Sequence, residues 1–344
     1  MLSVEPEVDL YIKLIDLETS ETLYERRIKR SVESSEYFES LYDIVTELSG
    51  SVQATISTER LKLIEQQTHE GTVDLVNLDA FDCVTLADKL FVHPSPELYR
   101  KTYSCLENLL EKDPENATLL AYFGAVTYSG ARSYEPVLQA RSVNPHVDEN
   151  VGMEMIKRAV EIDPLNATAQ LYLSEFYKMT GDSPSALKHA ELAYIANPGD
   201  PEIIISLSQQ LVNAGQWGRA RALSKEAFER NPSPKAVYFR TDFAWALIQN
   251  DNVNMQLLAD KMADMNAYYA DLFLYLAAVA NDDRQSIAAL RPSMIDLATR
   301  NNDHQDIMLI VSTIFDSEEF LSKIQELFVQ GGLLTEDGLL IMNQ

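Results

Sequence analysis

Apolar and polar residues alternate over residues 8–17, where Leu10, Ile12 and Leu14 interleave with Asp9, Tyr11 and Lys13. That period of two predicts a half-buried strand. After the polar turn Glu18 to Glu21, residues 23–28 can return as a second strand and close a hairpin. From about 36 to 58 the spacing becomes that of a helix, with Phe38, Leu41, Val45, Leu48, Val52 and Ile56 along one stripe. A lone two-stranded hairpin is marginal in water, so 1–60 reads as a partial α/β module of two strands and a helix.

Downstream the pattern is helical and it repeats. Asp163-Pro164, Asn197-Pro198 and Asn231-Pro232 are 34 residues apart, and Asp113-Pro114 lies 50 before Asp163, which is one period plus an insertion of 16. Proline cannot continue a helix, so each dipeptide punctuates the end of one helical hairpin. The register runs on to Met265-Asn266 and Thr299-Arg300, where the proline is lost. Interior positions recur as well: Leu173, Ser174, Tyr177, Gly181, Ala186, Ala190 and Ala193 in one hairpin match Leu207, Ser208, Leu211, Gly215, Ala220, Ser224 and Ala227 in the next. Small residues fit where two helices cross closely, and glycine admits the positive φ of a tight turn. Hairpins are thereby expected at about 80–116, 117–166, 167–200, 201–234, 235–268 and 269–300. Further helices are expected at 305–315 and 318–328, and the apolar end from Leu333 should seal the last hydrophobic face, making 301–344 a cap.

The period and these positions resemble the tetratricopeptide family over about residues 80–232, and more weakly to about 300; Gln170 and Ile204 stand where that family usually has tryptophan. The resemblance implies a mainly α fold: a right-handed tetratricopeptide solenoid of about six hairpins over 61–300, with an insertion near 130–145, preceded by the β-hairpin and helix. It also implies a groove lined by the first helix of each hairpin, here Tyr128, Leu171, Glu175, Lys178, Ile205, Gln209, Asn213, Phe239 and Phe243. Leu171, Ile205, Phe239 and Phe243 would make its middle apolar, an anchor for an aliphatic or aromatic ligand segment. The lysine and asparagine pattern by which cochaperones of this family clamp a C-terminal carboxylate is missing from the corresponding places.

Within 1–60, Leu14-Ile15-Asp16, the run Glu21 to Arg26, Leu41 and Ile44-Val45 through Val52 resemble the closing third of the TolB-like α/β module, departing from it at Ser20 or Glu21 and at Tyr24. That module often precedes tetratricopeptide repeats in bacterial ToxR-type transcription regulators and adenylate cyclases. The resemblance implies the regulatory end of a larger signalling protein.

Composition narrows the chemistry. With 28 basic against 53 acidic residues the formal charge is −25, which repels nucleic acid and anionic membranes. No run of apolar residues is long enough for a membrane span, so a cytoplasmic place is expected, or a periplasmic one if a membrane segment lies upstream. Phosphate loops, nucleophile elbows and paired-histidine helices are missing, and the five histidines never fall three or four apart. No cofactor, metal or catalytic residue is therefore expected. Cys83 and Cys105 are too few and too far apart in sequence for a disulfide framework or a zinc site and read as small core residues. Asn116-Ala-Thr118 and Asn166-Ala-Thr168 fit a glycosylation sequon but share one repeat position and read as echoes of the repeat. The cations Arg26, Arg27, Lys29 and Arg30 read as a guard on a strand edge.

The expectation from sequence is a non-catalytic interaction or sensing region that binds a peptide, a partner protein or a small effector. A stand-alone structural adaptor and an enzyme with an unrecognised site are the alternatives. The insertion is expected to act as a lid, and the unpartnered strands to pair two copies into a homodimer, against the competing outcome that the hairpin folds back within one chain.

Overall fold

The computed structural model describes residues 7–15, 20, 22–31, separate positions between 44 and 62, and 78–92, 95–132, 149–231, 234–264, 269–299, 307–312 and 314–342. Strands β1 (Glu7–Ile15) and β2 (Thr22–Ser31) form an antiparallel hairpin with Leu10 opposite Ile28. Leu10, Ile12 and Ile28 face one way and are covered by Ile44 and Leu48 of a helical segment of the same chain. On the other side Arg27 donates two hydrogen bonds to the Asp9 carboxylate, at 2.8 and 2.6 Å, and Lys29 lies 3.5 Å from it. Those cations are thus held by a cross-strand acid. The hairpin has a cover within its own chain, and Val45, expected on the buried stripe, is 60 % exposed. Leu48 of the expected stripe is buried, but Ile44, four residues before it, takes the inner position expected for Val45. Phe38 and Leu41 lie outside the described residues.

Fourteen α-helices follow among the described residues. They come as successive pairs: α1 (Ala80–Val92) with α2 (Pro96–Lys112), α3 (Ala117–Arg132) with α4 (Glu149–Ile162), α5 (Ala167–Met179) with α6 (Ser183–Ala196), α7 (Pro201–Asn213) with α8 (Trp217–Arg230), α9 (Arg240–Ile248) with α10 (Asn252–Asp264), and α11 (Ala270–Ala280) with α12 (Arg284–Thr299). The protein is mainly helical, with a small antiparallel sheet near its N-terminal end. Arg60 joins the two parts through a forked contact to Asp82 of α1, at 2.5 and 3.0 Å.

The sequence repeat reappears as repeated bonds. Ser174 donates to the Ala186 carbonyl and Ser208 to the Ala220 carbonyl, each at 2.8 Å and each across its own helix pair. Each turn closes in the same way, the third residue beyond the helix donating back to the carbonyl five residues earlier: Asp182 to Tyr177, Gln216 to Leu211, Asp251 to Ala246 and Asp283 to Ala278, at 2.8–2.9 Å. The bond requires a left-handed residue just before the donor. Gly181 and Gly215 supply it at φ 78° and 68°, and Asn250 and Asp282 adopt φ 53° in the later pairs. Asp182, Asp251 and Asp283 then cap the next helix. The turn geometry therefore outlasts the proline and the glycine.

Two pairs have their own devices. Gly124 of α3 and Gly152 of α4 touch face to face: a Cβ on Gly152 would lie 2.7 Å from the Gly124 carbonyl oxygen. Cys83 and Cys105 form a disulfide, with Cα atoms 5.6 Å apart. This corrects the sequence reading, which judged their separation along the chain; the antiparallel packing of α1 and α2 brings residues 22 apart face to face. Asn116 and Asn166 are helix N-caps, their side chains accepting from the backbone of Leu119 and Ala169. The insertion, expected near 130–145, falls between α3 and α4, and residues 133–148 lie outside the described residues.

The C-terminal segment departs from the pairing. After the short α13 (Ile307–Ser312), α14 (Glu318–Gln330) packs on α9 and α11, the first helices of two successive pairs, and makes no comparable contact with their second helices α10 and α12. An element that packs mainly on first helices lies on the face of the stack away from the second helices. Beyond α14 the chain turns back to the end of the stack, where Arg291 of α12 donates to the Gly332 and Ile341 carbonyls and Leu333 and Leu334 are buried. The segment packs on the end of the stack and also covers part of the first-helix layer.

Candidate partner-binding face

Side chains on the uncovered part of that layer, from α1 to the start of α9, converge. The Tyr122 hydroxyl of α3 donates to Asp88 of α1 at 3.3 Å, Tyr122 and Tyr172 meet edge to face with ring centroids 5.2 Å apart, and Phe91 packs on Tyr172 at 5.8 Å. Next to them Glu202 of α7 receives the Tyr238 hydroxyl at 3.1 Å and pairs with Lys235 at 3.3 Å. Asp88, Glu202 and Lys235 are half-buried, with protein walls around them and solvent still reaching them.

The electrostatics follow from that enclosure. Burial pushes the Asp88 carboxyl up to about 7, opposed by Lys235 and reinforced by Glu202 and Asp200. Burial likewise raises Asp200. Burial works against the Lys235 charge, but the surrounding Glu202, Asp88 and Asp200 outweigh it and hold the ammonium in its charged form. Three acids share one cation here.

Further along, Glu175 of α5 accepts from Lys178 and from the Ser206 hydroxyl of α7, both at 2.7 Å, so its oxygens are occupied. Although burial penalises it, those partners leave the Glu175 carboxyl below its usual range. Arg240, at the start of α9, has no hydrogen bond or ion pair among the described residues and is half-buried. Its charge is disfavoured by burial and favoured only at a distance by Tyr269 and Glu175.

The sequence-predicted groove residues divide between this face and the interior. Glu175 lies on the face, with Leu171 and Asn213 half-buried and Lys178 mostly covered but bonded to Glu175. Gln209 is 3 % exposed and donates to the Val237 carbonyl. Tyr128, Ile205, Phe239 and Phe243 are 4, 2, 9 and 0 % exposed. The expected open apolar groove is therefore corrected: Phe243 meets Phe273 edge to face, Phe239 packs tilted on Phe228, and both belong to the cluster that α14 closes. Tyr172, Ser206 and Arg240, one repeat apart, were missed by the sequence reading, although stepping 34 residues along the chain from Tyr172 would have found them.

Among the described residues no group of three or more metal-ligating side chains is placed to hold a metal, and no helix is long and apolar enough to cross a membrane. An open depression of about 550 Å³ lies elsewhere, lined by Arg221, Lys225 and Phe228 of α8 and Asp242 of α9. Comparison of the chain with protein-family models and with curated proteins finds no match.

Proposed function

We propose that this chain is a non-catalytic scaffold of the tetratricopeptide kind, a right-handed solenoid whose first-helix face binds a peptide or partner-protein segment, as the sensing region of a bacterial regulator. One observation carries the reading: Tyr172, Ser206 and Arg240 recur at 34-residue steps on adjacent first helices, and the Arg240 guanidinium is half-buried with no direct partner among the described residues. A half-buried cation without a partner costs stability, so it is kept where a ligand completes it. The aromatic groups Tyr122, Tyr172 and Phe91 on the same face supply flat apolar area at low entropic cost. The three acids around Lys235 and the net charge of −25 favour a segment that also carries basic residues.

The test is a peptide-display selection against the full chain, repeated with Tyr172→Ala/Arg240→Ala. Selected peptides should be rich in lysine or arginine beside an aromatic or acidic residue, and should lose at least about tenfold in affinity on the double variant with unfolding unchanged. Selected peptides that bind both proteins equally would overturn the reading.

A further inference from the structure

The course of α14 shows what fits the second half of the same face. A helix that merely extended the stack would pack beside α12; α14 instead crosses α9 and α11 on the first-helix side, the side taken above to receive partners. It is seated by an apolar stripe, Phe320, Ile324, Leu327 and Phe328, at i, i+4, i+7 and i+8. Phe315, just before it, stacks on Phe320 at 4.8 Å, and Phe328 meets Tyr275 of α11 at 6.1 Å. Glu318, Glu319 and Glu326 lie on its exposed side. This is the binding mode of a helical ligand in a groove, with the ligand supplied by the chain itself.

The polar contact at its leading end is incomplete. The Asp316 backbone N–H donates to the Asn213 side-chain oxygen at 3.2 Å, and the Ser183 hydroxyl donates to the Asp316 carboxylate. The other Asp316 oxygen and the Asn213 amide nitrogen are buried without a partner among the described residues. Buried polar atoms left unpaired favour exchange for an occupant that pairs them.

We infer that the α9 and α11 face is a helix-binding surface, that α14 is its resident occupant, and that its outside ligand is an amphipathic helix of a partner protein with large apolar residues at the spacing of Phe320, Ile324 and Phe328. This rests on the reading that the first-helix face binds partners. An incoming helix covers the apolar surface that α14 leaves, so the exchange needs no net exposure, and the resident helix lowers apparent affinity by the fraction of time it is seated.

The probe is a fluorescent synthetic peptide of residues 313–332, titrated by anisotropy into the full chain and into the full chain carrying Phe320→Ala. The weakened chain should bind it at least about tenfold more tightly than the wild type, and a peptide with both phenylalanines at 320 and 328 changed to alanine should not bind. Should Phe320→Ala fail to fold, Asp316→Asn loosens the same end more gently, and hydrogen exchange on the wild type gives an independent reading. Amides of α14 should then exchange at least about tenfold faster than those of α11. Equal protection of α14 and α11, or no gain in peptide binding by a folded weakened chain, would overturn the inference. Adding Tyr172→Ala/Arg240→Ala to the weakened chain separates the two readings: peptide binding that persists while selected peptides are lost assigns two sites, and failure of one leaves the other standing.

Discussion

Replacing Asp88 by asparagine removes a carboxylate while keeping the size of the side chain, and its effect on stability should depend on pH. The folded-state value of about 7 lies above the ordinary 3.8, so the folded protein holds this proton more tightly than the unfolded chain. Stability from Asp88 is therefore full below about pH 4 and lost as pH rises through 7. The displacement of about 3 units corresponds at most to about 4 kcal/mol; because solvent still reaches the group, about 1–3 kcal/mol is expected. Urea unfolding of the two proteins from pH 4 to pH 8 measures it. Asp200, raised in the same direction, and Glu175, lowered, contribute slopes of their own to both proteins, so only the difference between them reports Asp88. The two should be equally stable near pH 4, and Asp88→Asn should gain steadily to about 1–3 kcal/mol at pH 8. A difference that does not vary with pH, or a variant less stable at pH 8, would refute the enclosed-acid description of this face.

Other changes test the scaffold. Cys83→Ala/Cys105→Ala opens a covalent loop of 22 residues and should cost about 3 kcal/mol in denaturant unfolding, matched by the wild type under reductant. Gly152→Val would press into the Gly124 carbonyl and the Tyr128 backbone and should cost about 2–3 kcal/mol, seen as a lowered melting temperature. Gln216 heads α8 without a side-chain cap, where Asp182 and Asp283 cap the equivalent helices, so Gln216→Asp should stabilise by about 1 kcal/mol in the same assay.

What the sequence made legible was local. Residues such as Asp113-Pro114 and Asn197-Pro198, the turn glycines and the interior serines act on their own helix pair, and the structure uses them as their chemistry requires. The turns at Asn250 and Asp282 keep the geometry with less permissive residues, which is why the glycine mark faded from the sequence before the helix pairs ended. What stayed hidden was relational. The spacing of Phe320, Ile324 and Phe328 announces a buried stripe but not the face it covers, so Phe239 and Phe243 looked free when a helix 70 or more residues downstream closes their cluster. The cysteine pair was hidden in the same way, since only the packing of α1 on α2 makes them neighbours.

The first-helix face is divided along its length, and the division bears on how it could serve as a binding surface. From α1 to the start of α9 it carries Asp88, Tyr122, Tyr172, Glu175, Glu202, Lys235 and Arg240, polar groups that keep some contact with water. Over α9 and α11 it turns to Phe243, Phe273 and Tyr275, whose exposure would leave a large apolar patch, and that is the stretch on which α14 lies. A polar stretch can wait open for its ligand; an apolar one must be covered or it associates with whatever apolar surface it meets. The chain's own helix covers it by the same stripe-in-groove packing that a partner helix would use. A segment bound first at the polar stretch would then lie next to α14, where its continuation competes at raised local concentration for the surface beneath.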